Sequence, residues 1–453
     1  MNNKTLSLFL ILFFSIHADE RVNLIESMFV TKNVLSIRAC KELRDLFLIQ
    51  DFIVEYNDPE IDLRQLPYSV ITLPFVMHML PIVWQMDKTY VVESIDADLY
   101  ACLPSLKKVF RLFYQKINWQ GSLEAREIIK NSYKDSPLYA QNARSVIIPF
   151  SGGVDSVYNS LVNLDKKQHL VSICGGDVPT GMPELVVSFK QHCQDYAERY
   201  NLPWSVIRSN FAGIYNDAHA VNHSIIWTLV TQGLSYTSLM LPLMIAKGIP
   251  FCLLGSASVA EHPWPYGSHP LIEHTLCAAG CYSFHFGGEL TRSQKLAAIN
   301  EICQVRNIQK PELRICWSKI LEQKNCGICP NKCLITMLCL LVEGYSYEEF
   351  GLFLPHAELF ERIKNTLLEH PLDHDTIFKW GVIQKRIAFL EPKKIPYQED
   401  VQEFLSWFKN LDLCALRDKK LENTYAPNVK EVFASLWNAS MEVAHKRFNA
   451  LFS

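Results

Sequence analysis

The chain has no long run of basic residues and almost no net charge: 44 lysines and arginines face 47 aspartates and glutamates in 453 residues, a formal charge of −3. Surfaces that bind duplex nucleic acid or tRNA usually carry a basic footprint, so this balance argues against a tRNA substrate; a patch assembled in three dimensions escapes such a count. The pattern Gly-x-x-x-x-Gly-Lys-Ser/Thr is also missing, which excludes a Walker-type phosphate loop. Clean membrane-spanning runs are lacking too. Residues 224–246 carry no charge and have the length to cross a bilayer, but Gln232, Gly233, Ser235, Thr237, Ser238 and Pro242 dilute them. A buried helix is the expectation there.

What the chain does contain is the hexapeptide Ser151-Gly152-Gly153-Val154-Asp155-Ser156, directly after the apolar run Val146-Ile147-Ile148-Pro149-Phe150. Val157, Leu161 and Val162 follow at helical spacing. The order reads as strand, tight turn and helix. Two adjacent glycines let backbone N–H groups converge on an anion where a side chain would otherwise stand. The helix dipole adds positive potential, and the hydroxyls of Ser151 and Ser156 can donate to phosphate oxygens. Asp155 cannot bind phosphate directly, but it can hold Mg²⁺ or orient the loop. A glycine turn without a ligand is the plain alternative.

A second cluster lies downstream: Cys316, Cys326, Cys329 and Cys333, the middle pair in Cys326-Gly327-Ile328-Cys329. Four thiolates at these spacings can close a tetrahedron around Zn²⁺. Buried free cysteines, a disulfide or an iron–sulfur cluster are the other readings.

The hexapeptide resembles the nucleotide loop of the PP-loop ATP pyrophosphatase superfamily. The resemblance implies that Ser151, Gly152, Gly153, Val154, Asp155 and Ser156 hold the β- and γ-phosphates of ATP, with Mg²⁺. A substrate oxygen then attacks the α-phosphate, giving an adenylylated intermediate and pyrophosphate. Such a loop followed by four cysteines is similar to the 7-cyano-7-deazaguanine synthase family, which has a Cys-x8-Cys-Gly-x-Cys-x2-Cys zinc site. Here the gaps are nine, two and three residues. The chain also resembles uncharacterised PP-loop proteins that carry a Gly-Ser-His-Pro segment, an Arg-x-x-Lys pair and then the cysteines. It has Gly267-Ser268-His269-Pro270 and Arg292-Ser293-Gln294-Lys295. The similarity spans about residues 145 to 340.

Between the landmarks, residues 169–174, 204–207 and 250–255 read as further strands, with Leu185, Phe189, Cys193, Tyr196 and Tyr200 on one helix face. The expected fold is therefore α/β, a doubly wound parallel sheet that binds ligand at the carboxyl ends of its strands. On that logic Trp264, Tyr266, Ser268 and His269, after the fourth strand, are candidate substrate contacts: the aromatics can stack on a flat ligand and the others can hydrogen-bond it. Arg292 and Lys295 stand one helical turn apart, so both can address one phosphate. With Asp155 and Ser156 they form the candidate catalytic set.

The chain is long enough for several domains. We expect a signal-like or mis-called segment at residues 1–27, a mixed module at 28–140, the PP-loop domain at 141–345 and a helical region at 346–453. Within the first segment, Lys4, the apolar residues 6–14 and Ala18 imitate a signal peptide. ATP is scarce outside the cytoplasm, which favours a start at Met28 or an uncleaved segment. Fourteen cysteines likewise fit a reducing cytoplasm. The expected activity is an AMP-forming ligase or synthase that activates a carbonyl or carboxylate of a small-molecule or modified-base substrate, and a homodimer is compatible with it. Nucleobase thiolation and a nucleotide-binding regulatory subunit of a defence or surface-polymer system are the competing readings.

Overall fold

The computed structural model describes residues 21–115, 117–215, 226–255, 259, 261, 265–316, 325–369, 372, 374–390 and 399–416. The amino-terminal signal-like run, Trp264 and the last expected helix, residues 429–448, lie outside the described residues.

Among the described residues, twelve strands form two sheets. β1 (Arg21–Asn23), β5 (Thr89–Asp96) and β6 (Ser122–Ile129) make a three-stranded parallel sheet in the order β1-β5-β6. The other nine are β2 (Ile25–Val30), β3 (Val34–Ala39), β4 (Phe52–Asn57), β7 (Val146–Pro149), β8 (Gln168–Cys174), β9 (Trp204–Ser209), β10 (Phe251–Gly255), β11 (Cys277–Ala278) and β12 (Cys281–Phe286). Their order across the sheet is β11-β12-β10-β7-β8-β9-β4-β3-β2.

The five strands β9-β8-β7-β10-β12 are parallel, and the expected wholly parallel sheet is corrected on both sides of them. β4 joins β9 antiparallel, Val54 opposite Ser209, and β3 and β2 continue that way. β11 closes the other edge antiparallel to β12. Residues before 140 thus extend the sheet that bears the glycine loop. Strand pairing also begins upstream of Met28, since Arg21 pairs with Thr89 and Ile25 with Ala39. A start at Met28 would remove β1.

Alternation along the central strands explains why helices cover both faces. Val146, Ile148, Phe150, Leu170, Phe251 and Leu253 point into one core, with helices Val154–Val162, Pro183–Arg199 and Arg292–Val305. Ile147, Val171, Cys252 and Leu254 point into the other, with helices Leu73–Gln85 and Gln232–Lys247. Strands buried on both sides read as near-continuous apolar runs, and these do. Helix Gln232–Lys247 is the buried helix expected from the diluted apolar stretch, and no helix among the described residues is long and apolar enough to cross a membrane.

Candidate functional site

The chain leaves β7 toward β8 on one side, while β10 lies on the other. Such a reversal opens a crevice at the carboxyl ends of the strands, and residues Ser151 to Ser156 sit there. Gly152 has φ +76°, a left-handed conformation that suits glycine. A Cβ at Gly152 would lie 2.4 Å from Nε2 of His192, so packing demands glycine as well. Gly153 is the N-cap of helix Val154–Val162 and gives it no side-chain cap, so no side chain at that position takes the first-turn amides. The end of β10 presses on the loop: a Cβ at Gly255 would stand 2.8 Å from the Asp155 carbonyl oxygen.

The two serines differ. Ser151 is exposed at the turn. Ser156 is buried and donates its hydroxyl to the Gly153 carbonyl at 3.1 Å while accepting from the Ser151 amide at 3.3 Å. Its hydroxyl braces the turn.

Lys295 donates to Asp155 at 2.5 Å, with the lysine side chain 1 % exposed and the carboxylate 30 % exposed. Burial pushes the Asp155 pKa upward, but Lys295, Arg292 and Lys332 outweigh it and hold the carboxyl below its usual range. A capping box, Thr291 with Gln294, starts the helix that presents both Arg292 and Lys295. The Arg292 guanidinium donates to Thr336 Oγ1 at 2.9 Å, and its backbone amide donates to Glu261 at 2.7 Å. The two cations expected to share an anion therefore meet around Asp155, Lys295 by direct contact and Arg292 through the field.

Two basic residues absent from the expected set complete this wall. The Arg314 amide donates to the Gly152 carbonyl at 2.8 Å, and its guanidinium lies over the Phe189 ring, 4.9 Å from the centroid. Lys332 acts on Asp155 electrostatically, and burial, then repulsion from Arg292, pulls its own pKa down. No sequence spacing pointed to either, because both come from the cysteine segment rather than from the loop.

The described residues 265–270 of the segment after β10 are less open to ligand than expected. His269 is buried, and its Nδ1 accepts from the Leu271 amide at 3.1 Å, capping the short helix Pro270–Glu273; its ring meets Phe113 edge-on at 5.0 Å. Ser268 donates to Glu273 Oε1 at 2.5 Å. Glu273, fully buried, also pairs with His285 at 2.6 Å. These internal bonds correct the expectation that Ser268 and His269 offer their polar atoms to substrate. Tyr266 is partly exposed.

The four cysteines converge, their sulfurs all within 4.8 Å of one another. Four sulfurs at about 2.3 Å from one zinc stand about 3.8 Å apart in a tetrahedron. Cys326 and Cys333 are separated by 3.8 Å. Gly327, at φ +68°, turns the chain between Cys326 and Cys329, and the Cys333 amide donates to Cys329 Sγ at 3.2 Å. Asn325 clips the distant ligand in place. Its Oδ1 accepts from the amides of Ile315 (2.9 Å) and Cys316 (3.3 Å), and its Nδ2 donates to the Leu313 carbonyl at 2.7 Å. None of the fourteen cysteines forms a disulfide, so no bridge competes for this set. The donor set and spacing fit a tetrahedral metal such as zinc.

No family model, curated protein or solved structure matches the chain.

Proposed function

We propose that the chain is an adenylylating, ligase-like enzyme of the PP-loop type, which cleaves ATP to AMP and pyrophosphate to activate a carbonyl or carboxylate oxygen. The observation that carries this reading is the Ser151 to Ser156 turn, set at the strand-order reversal with a helix N-terminus that no side chain caps. Backbone amides and the helix dipole there suit the pyrophosphate portion of ATP. In the reaction, a substrate oxygen bonds to the α-phosphorus, the bond to the bridging oxygen breaks, and pyrophosphate leaves with its electron pair. Charge accumulates on the leaving group, so Lys295, Arg292 and the loop amides act where stabilisation is needed. Asp155 holds Lys295 in place. Mg²⁺, when bound with ATP, would neutralise part of the phosphate charge, with Asp155 as the nearest carboxylate of the loop. The residues Cys316, Cys326, Cys329 and Cys333 would hold zinc in a closed structural site, since four sulfurs leave no open position for catalysis. That closure also counts against thiolation, which needs a sulfur available for transfer.

Purified protein incubated with MgATP labelled at the α-phosphate and a small-molecule cell extract tests the reading. AMP and pyrophosphate should accumulate together, and Asp155→Asn should lower the rate by roughly a hundredfold or more. ADP and phosphate as products, or full pyrophosphate release by the variant, would overturn it.

A further inference from the structure

Three residues of the cysteine segment bear on the glycine loop or on the cations around it. Arg314, two residues before Cys316, bonds through its amide to Gly152 at 2.8 Å. Its side chain is close to the loop: a Cβ at Gly152 would lie 3.3 Å from Arg314 Cβ, and one at Gly153 would lie 3.6 Å from the Arg314 carbonyl oxygen. Lys332 directly precedes Cys333, in the three-residue gap that distinguishes this knot from the two-residue spacing of the resembling family. Thr336, three residues after Cys333, receives the Arg292 guanidinium at 2.9 Å. The segment Pro330–Leu334 winds as a wide helical turn into helix Ile335–Val342, so closing Cys329 and Cys333 on one ion sets the start of the helix that carries Thr336.

Basic side chains gather on this side of the crevice. Lys295 bonds to Asp155 at 2.5 Å, Arg292 and Lys332 act on the same carboxylate, and Arg314 stands beside Gly152, with Asp177, beyond the end of β8, acting on both Arg314 and Lys332.

We infer that the four-cysteine knot builds the basic wall of the nucleotide site, and that Arg314 and Lys332 contact the β- and γ-phosphates of the bound triphosphate. This rests on the reading of the glycine loop as an ATP site and adds two phosphate-binding residues to it. The phosphate-binding cations come in part from the metal knot, so metal loading and nucleotide affinity are linked: a ligand that binds only the ordered knot reports its metal content. The guanidinium suits this role because its planar fork meets phosphate oxygens pairwise, while Lys332 supplies a point charge.

Titration calorimetry on zinc-loaded protein with inorganic pyrophosphate, MgATP and AMP tests the assignment. Arg314→Gln and Lys332→Gln should each weaken pyrophosphate and ATP binding about tenfold or more, a loss of about 1.4 kcal/mol per tenfold. AMP affinity and zinc content should stay unchanged, Lys332→Arg should restore most of the loss, and the distant Lys409→Gln should behave as wild type. Cys329→Ser protein, which lacks the closed knot, should lose pyrophosphate binding. Equal pyrophosphate affinity in Arg314→Gln and Lys332→Gln, beside a wild type that binds, would overturn the inference and leave the proposed function standing. A zinc-loaded wild type with no affinity for either pyrophosphate or ATP would instead remove the proposed function itself.

Discussion

Gly152 concentrates two constraints in one residue, a left-handed backbone at φ +76° and contact with the His192 ring. Alanine there carries about 1–2 kcal/mol of backbone strain and forces the imidazole to move. We expect Gly152→Ala to fold with a thermal midpoint lowered by a few degrees, and to bind pyrophosphate at least tenfold more weakly by calorimetry. Gly153→Ala should be milder, because a Cβ there would lie 3.5 Å from the nearest atom, Ser151 Oγ. The hexapeptide was legible as a glycine turn between strand and helix because two adjacent glycines between an apolar run and a helical pattern leave a local signature. Arg314 and Lys332 left none. Each is an ordinary basic residue in its own segment, and only the convergence of the cysteine segment on the loop gives it a partner.

At the scale of elements, Asn325 holds the residues around Cys316 against those that follow it from Cys326 to Cys333. That side chain makes hydrogen bonds to three backbone groups flanking Cys316 and so brings the remote ligand to the Cys326–Cys333 turn. Groups that orient metal ligands commonly change metal affinity by about 10–100-fold when removed. Asn325→Ala should show a loss in that range in competition with a chromophoric zinc chelator, with far-ultraviolet dichroism of the remaining fold retained. The cysteine pattern was readable because ligand spacing is a local property, whereas Asn325 sits beside Cys326 in sequence and shows no periodicity that marks it. The loop after β10 carries the opposite lesson. Its histidine and serine have the chemistry of substrate contacts, yet His269 caps a helix and Ser268 binds buried Glu273, because burial removes water and makes internal partners compulsory.

Across the whole molecule, buried histidines set the response to acid. His78 lies between Ser235 (2.6 Å) and Tyr215 (2.8 Å), and burial depresses its pKa to about 3. His169 contacts Ser205 at 2.7 Å, beside the buried pair Asp58 and Lys247 at 3.1 Å; burial, then the Lys247 charge, depresses its pKa to about 4. Both fall below the usual value of about 6.5, so the unfolded chain takes up protons first. Their contribution to stability is complete above pH 6.5 and is lost as pH falls toward 4. Urea midpoints measured between pH 7.5 and 4.5 should drop steadily, and the slope should flatten in the double variant His78→Gln with His169→Gln. A flat profile in the wild type would contradict this. The same network ties β4, β8, β9 and helix Gln232–Lys247 together at the amino edge of the sheet, opposite the glycine loop. By itself the sequence determined the α/β class, the central strands, the glycine turn between strand and helix, and the cysteine cluster, because each depends on residues close in the chain. Tertiary structure alone decided that residues before 140 add antiparallel strands to the central sheet and that the cysteine segment meets the glycine loop. Strand pairing and charge convergence are contacts between distant segments, and no local pattern encodes which distant partner wins.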